Sequence, residues 1–265
     1  MKVSLEKALT KTEADAGAAF DTAMAAVRSL KKFRAAAKSG DLRDLRKTIE
    51  ATEQAITALR QQFSNAKDGW DFDEETYLSG NGFLSEICET AKQMGVTVFE
   101  QDDRLYCYPA LIKVSPNERA VFVDKKRVTR IRPSILVAHL KELQRQPARF
   151  KSEPFLAALF SAYSKAVAMR GKGLLQTAPV IPLLDIYELL TLLPGQAREY
   201  SKPEFARDIY LLHRSGFDTT KSGAKVSFPA STGTKTPTRT ISVITESGEE
   251  KRYYGISFTP AKTEG

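Results

Sequence analysis

Apolar positions in the first quarter of the chain recur with helical spacing. Leu42, Leu45, Ile49, Thr52, Ile56, Leu59 and Phe63 follow an unbroken 3-4 repeat, the pattern of an a/d seam. Leu5, Leu9, Ala16, Phe20, Ala23, Val27 and Leu30 make a similar stripe just before it. Between the two lies "KSGD", where Gly40 can end one helix and Asp41 can cap the next. Residues 1–66 are therefore expected to form an antiparallel helical hairpin or coiled coil. Its seam residues Leu42, Leu45, Ile49, Ile56, Leu59 and Phe63 are the candidate docking surface for a partner protein or for self-association.

The pattern then changes twice. Residues 67–80, within "NAKDGWDFDEETYLSGNG", carry the Gly, Asp and Ser punctuation of a linker. Their carboxylates, Asp71, Asp73, Glu74 and Glu75, lack calcium-loop spacing and read as a solvated acidic loop. Residues 81–180 read as an α+β domain. A helix with Phe83, Leu84, Ile87, Ala91 and Met94 on one side stops at Gly95. Four segments rich in β-branched and aromatic residues follow: "VTVFE", "RLYCYPALIKV", "RAVFVD" and "RVTRI". They predict a small antiparallel sheet of three or four strands. Pro133 ends the last strand and Ser134 can cap a helix, with further helices near 153–169 and 181–193.

The final segment, 181–265, opens on "PLLDIYELLTLL" and continues into "YSKPEFARDIYLLHRSG". In the second helix Ser201 and Glu204 make a capping box, Pro203 sits in the first turn, and Gly216 is placed to terminate it. The strand candidates "AKVSFPA", "RTISVITES" and "KRYYGISF" come next, with the Thr- and Lys-rich loop "STGTKTPT" after the first. Helix, turn, helix and a β-hairpin with a basic loop resemble a winged-helix domain over roughly residues 182–260. The resemblance is one of architecture and matches no particular family. It implies a reading helix carrying Lys202, Arg207 and Arg214, and a wing carrying Lys221, Lys225, Lys235 and Arg239. Winged helices also serve as protein-docking modules, so nucleic-acid contact and protein docking both stay open for this segment. The fold class is α+β: a helical hairpin, a small antiparallel sheet with helices, and a C-terminal winged-helix-like domain.

Charge sharpens this picture in one place. Between Arg104 and Lys151 twelve Lys or Arg face three acids, a net +9 against +8 for the whole chain. Its centre is "VDKKRVTRIRPS", where Lys125, Lys126, Arg127, Arg130 and Arg132 crowd a predicted turn and strand edge. Cations fixed on a sheet edge suit a phosphate backbone, so nucleic acid, DNA for preference, is the expected partner.

Enzymatic chemistry finds little footing. "RGKGLL" lacks the strand and the hydroxyl of a phosphate-binding loop, and no Gly-x-Ser-x-Gly elbow is present. Cys88, Cys107, His139 and His213 form no zinc spacing, and no metal or other cofactor is expected. The best enzymatic alternative is a metal-dependent nuclease. It would use Asp124 and Lys126 with Glu100 and Asp103, or Glu249 with Lys251. The N-terminus lacks an apolar signal core and no membrane-length apolar run occurs, which points to a cytoplasmic chain without a membrane partner. The expected function is a non-enzymatic DNA-associated accessory protein that binds duplex or single-stranded nucleic acid through the basic sheet and the winged-helix-like domain. The alternative is a docking adaptor in a multi-protein bacterial complex for genome maintenance or phage defence.

Overall fold

The computed structural model describes residues 4–101, 104–146, 150–171, 178–229 and 240–260. They fall into two compact units, Met1–Leu143 and Gln144–Gly265.

The first unit begins with α1 (Leu5–Ser39) and α2 (Leu42–Asp68). Ser4 accepts from Lys7 N at the start of α1, and Gly40 closes it in the left-handed region at φ 74°. Asp41 caps α2 through the amides of Arg43 and Asp44. The two helices lie antiparallel, as the sequence predicts, but the contacting row on α1 is a different one. The row Thr12, Asp15, Ala19, Thr22, Ala26, Ser29, Phe33 and Ala36 is shielded along α1, with Leu5, Leu9 and Ala23 of the predicted stripe also at least half-buried. On α2 the shielded row is Leu45, Thr48, Thr52, Ala55, Leu59, Gln62 and Ala66, with Ile56 half-buried beside it. Small side chains let the backbones approach closely, and the larger apolar row beside them is left outside.

The residues expected to be a linker are not one. Trp70 and Phe72 pack against the core, Tyr77 and Leu78 are buried within α3 (Glu74–Ser79), and α4 (Asn81–Met94) follows directly. Polar punctuation here marks caps rather than slack: Asp73 Oδ1 accepts from Thr76 N, and the Glu74 carboxylate pairs with Arg119. Five strands follow: β1 (Phe99–Gln101), β2 (Arg104–Cys107), β3 (Ala110–Ser115), β4 (Ala120–Val123) and β5 (Lys126–Val128). They form an antiparallel meander in chain order. "RLYCYPALIKV", expected as one strand, is a hairpin folded at Tyr108-Pro109, because proline supplies no ladder donor. "RVTRI" leaves the sheet after Val128. One sheet face carries Leu105, Cys107, Ile112, Val121 and Val123 into a core shared with α4 and with Leu136, Val137 and Leu140 of α5 (Pro133–Arg145).

The second unit contains α6 (Ser152–Met169), β6 (Ile181–Pro182), α7 (Leu183–Leu190), α8 (Gln196–Glu199), α9 (Lys202–Ser215) and β7 (Lys225–Ser227). It ends with β8 (Ile241–Ile244), β9 (Glu250–Tyr253) and β10 (Gly255–Thr259). The helix near 153–169 therefore belongs here and not to an 81–180 domain. β10 lies between β6 and β7 in a three-stranded sheet, and β8 pairs with β9 alone. The predicted strand "KRYYGISF" is split at Tyr254 between those two sheets. A Cβ on Gly255 would stand 2.5 Å from Val180 Cγ1 and 3.0 Å from Ile181 O, so the β6–β10 contact requires glycine. The capping box of Ser201 and Glu204 forms on α9. Phe155, Tyr187 and Tyr200 surround Phe205 in the core, while Phe160 and Tyr163 pack on Phe258. Among the described residues no helix is long and apolar enough to cross a membrane.

Candidate nucleic-acid interface

The basic stretch is built on the β4–β5 hairpin. Asp124 and Lys125 both have positive φ, 45° and 70°, the conformation of a tight two-residue turn matched to strand twist. Asp124 holds this turn against β3: its amide donates to Leu111 O and its Oδ1 accepts from Leu111 N. A carboxylate spent on backbone capping is poorly placed to ligate a metal. Among the described residues no three His, Cys, Asp or Glu side chains cluster as metal ligands. Asp103, part of the nuclease alternative, lies outside the described residues.

Strand register then sorts the cations. Arg104 pairs with Lys113, Lys113 with Phe122, and Phe122 with Arg127. Residues paired across antiparallel strands share a face, so these four form one row over four strands, opposite the core face. At about 4.8 Å per strand the row is roughly 14 Å long. It interleaves three cations with a half-buried aromatic ring. Lys113 is exposed and makes no ion pair among the described residues, whereas Arg127 pairs with Glu118 at 2.9 Å. Lys125 and Lys126 are exposed at the turn, and Lys126 has no acidic partner among the described residues.

Arg130 takes another position. It is exposed, has no ion-pair partner among the described residues, and lines a cavity of about 360 Å³. Trp70, Phe72, Tyr77, Leu5, Leu9 and Ile131 line this cavity, with Arg132 and the Arg119–Glu74 ion pair also in its lining. Arg132 is a structural residue. Its Nε donates to Glu6 Oε1 at 2.7 Å, one terminal nitrogen to Glu13 Oε2 at 2.6 Å and the other to Thr10 Oγ1 at 2.9 Å. Burial alone would raise the Glu6 carboxyl. Hydrogen bonds from Ser134 N, Arg132 and Ser134 Oγ outweigh it and hold Glu6 below its ordinary range. Glu86 completes the clasp by accepting from Ser4 Oγ, Leu5 N and Glu6 N, an anion at a helix N-terminus. The root of the hairpin is thereby bolted beside the cavity.

In the second unit most of the predicted cations are already paired. Arg207 is held by Asp208 at 3.0 Å, and both side chains are largely shielded. Burial pushes the Asp208 carboxyl up, opposed by Arg207 and by the hydroxyl of Tyr200. Arg214 pairs with Glu246, Lys221 with Glu153 at 2.8 Å, and Lys225 with Asp218 at 3.0 Å. Lys202 is exposed and has no ion-pair partner among the described residues. Lys235 and Arg239 lie outside the described residues.

The predicted docking seam divides. Leu45 and Leu59 face α1; Leu42, Ile49 and Phe63 are exposed, and Ile56 is half-buried. Two features escaped the sequence reading. The cavity joins residues from four separate segments, and no local pattern announces it. The hairpin tip is the other. Residues 28–47 hold eight Lys or Arg and two acids, a net +6. All eight are exposed and, among the described residues, none has an acidic partner. Summing charge over the chain hid this tip behind the acids elsewhere, though a sliding window would have found it. Comparison with protein-family models, with curated proteins and with solved structures returns no match.

Proposed function

We propose that this chain is a non-enzymatic, nucleic-acid-associated accessory protein, with DNA as the expected ligand, acting through its first unit. One juxtaposition carries the reading: an aromatic-lined cavity with Arg130, which has no ion-pair partner among the described residues, in its lining, in the same unit as the Arg104–Lys113–Phe122–Arg127 row. Cations along a fixed surface track phosphates, and an aromatic pocket accepts an unstacked base. That combination favours single-stranded over duplex nucleic acid.

Trp70 is the only tryptophan, so its emission reports on the cavity directly. Titrating a short oligothymidine at low salt should quench it, and the apparent affinity should fall steeply with salt. Lys113→Gln, Lys126→Gln and Arg130→Gln should each weaken binding and lower the salt slope by roughly 0.7, the single-strand value per phosphate contact. Salt-independent binding, or unchanged emission and affinity up to high oligonucleotide concentration, would refute the proposal.

A second reading, protein docking, is favoured for the second unit. The strand order β6-β10-β7, with α6, α7 and α9 and the β8–β9 pair, supports a winged-helix-like architecture. The ion pairs of Arg207, Arg214, Lys221 and Lys225 leave little free charge for phosphates, which suits an adaptor role in a larger bacterial complex, genome maintenance or phage defence included. A cytoplasmic setting belongs to this proposal, supported by two cysteines that are both free.

A further inference from the structure

The hairpin arm leaves its larger apolar residues uncovered. On α1, Phe20 is 65% exposed, Val27 41% and Leu30 45%; on α2, Leu42 is 72% exposed, Ile49 44% and Phe63 63%. Each set lies in rows adjacent to the small-residue seam, on its C-terminal side. In antiparallel helices such rows turn toward the same side of the pair. The arm therefore presents one continuous apolar face, of the kind that a bundle core normally covers.

We infer that a second copy of this chain covers it, as an antiparallel four-helix bundle of two arms about a twofold axis. Three observations select this occupant. The first is size. Below the clasp at Glu13 and Arg132 the free arm runs about 24 residues along each helix to its tip. At 1.5 Å per residue and two helices in width it offers a face of roughly 36 by 20 Å. That is close to the ~800 Å² per partner of an ordinary stable interface.

The second is self-complementarity. Leu42, Ile49, Ile56 and Phe63 are evenly spaced by seven. Reversing the direction of α2 about the point between Ile49 and Ile56 sets Ile49 against Ile56 and Leu42 against Phe63 of the other copy. Measured from the tip, the same axis falls between Val27 and Leu30 on α1 and sets those two against each other. One twofold axis thus satisfies both helices, as an isologous contact requires.

The third is charge. A parallel arrangement would bring together two tips of net +6. The antiparallel one places them at opposite ends of the bundle. The inference is independent of nucleic-acid binding, because none of these residues lines the sheet row or the cavity.

Sedimentation equilibrium of the full chain at micromolar concentration tests it. The expected mass is twice 29.4 kDa. Val27→Asp with Ile49→Asp changes two exposed positions, so helicity by circular dichroism should persist while the mass falls to that of one chain. A dimer that survives this double substitution overturns the assignment. So does a wild-type chain that stays monomeric at 50 µM with native helicity, whether the face then serves an unlike protein or none. Direction is read from spin labels on Ser39→Cys in a Cys88→Ser background. Antiparallel arms separate the two labels by about 30–35 Å at 1.5 Å per residue. A separation under about 20 Å means parallel arms and overturns the model.

Discussion

Arg132 shows how a residue's surroundings decide its role. By sequence it is one cation among five. In the folded chain it meets two carboxylates and a hydroxyl from α1, and its work is to fix the arm. The Glu6 carboxyl in this clasp sits below its unfolded value of 4.5. Its contribution is therefore complete above about pH 4.5 and is lost as pH falls through the lower folded value. Urea midpoints measured from pH 6 down to pH 3 should drop for the wild type, and Glu6→Gln should be weaker at pH 6 and flatter across that range. Equal slopes for both proteins would remove Glu6 from the account. The thiols give a contrasting case. Cys107 is fully buried, and burial with the nearby Asp124 charge raises it to about 12, which leaves it an inert core residue.

At the scale of elements, the hairpin and the split strand teach different things. Heptad spacing identifies α1 and α2 as amphipathic helices, and both caps follow from Gly40 and Asp41. Spacing alone does not say which of two neighbouring rows will meet the partner helix. Here the small row does, because close backbone approach buries Ala26 and Thr52 and leaves Phe20 and Phe63 outside. The break at Tyr254 is likewise invisible locally, since "KRYYGISF" is strand-like throughout. Gly255 is the one hint. Gly255→Ala should cost about 1–3 kcal/mol by overpacking against Val180 and the β6 backbone. Chemical denaturation would show this as a lower midpoint with unchanged m-value, and no change would mean that β6 shifts freely.

For the whole molecule, the division after Leu143 is the organising fact. Each unit has its own core: α4, α5 and the five-stranded sheet in the first, the aromatic cluster around Phe205 and Phe258 in the second. Residues 1–143 and 144–265, produced separately, should each unfold cooperatively on heating. The first fragment should keep both the Trp70 response and the oligonucleotide affinity. Loss of cooperative melting in either fragment, or binding that follows the second, would contradict this assignment of roles.

Legible along the chain were the hairpin, its caps, the presence of a small antiparallel sheet though not its five strands, the capping box of α9 and a basic turn near Asp124-Lys125-Lys126. All of these rest on interactions within a few residues of one another, where propensity and spacing carry the physics. Tertiary structure alone decided which cations stay free. Lys113, Lys126 and Arg130 have no ion-pair partner among the described residues, while Arg132 and Arg207 are held by carboxylates, Arg132's from the other end of the unit. It also placed Trp70 in a cavity rather than a linker, because burying that ring needs partners 60 residues away or more, at Leu5 and Ile131. "VDKKRVTRIRPS" therefore became three things: a locked turn, a cation on a sheet face, and an arginine at the mouth of an aromatic pocket. Long-range packing made that division, and no pattern along the chain encodes it.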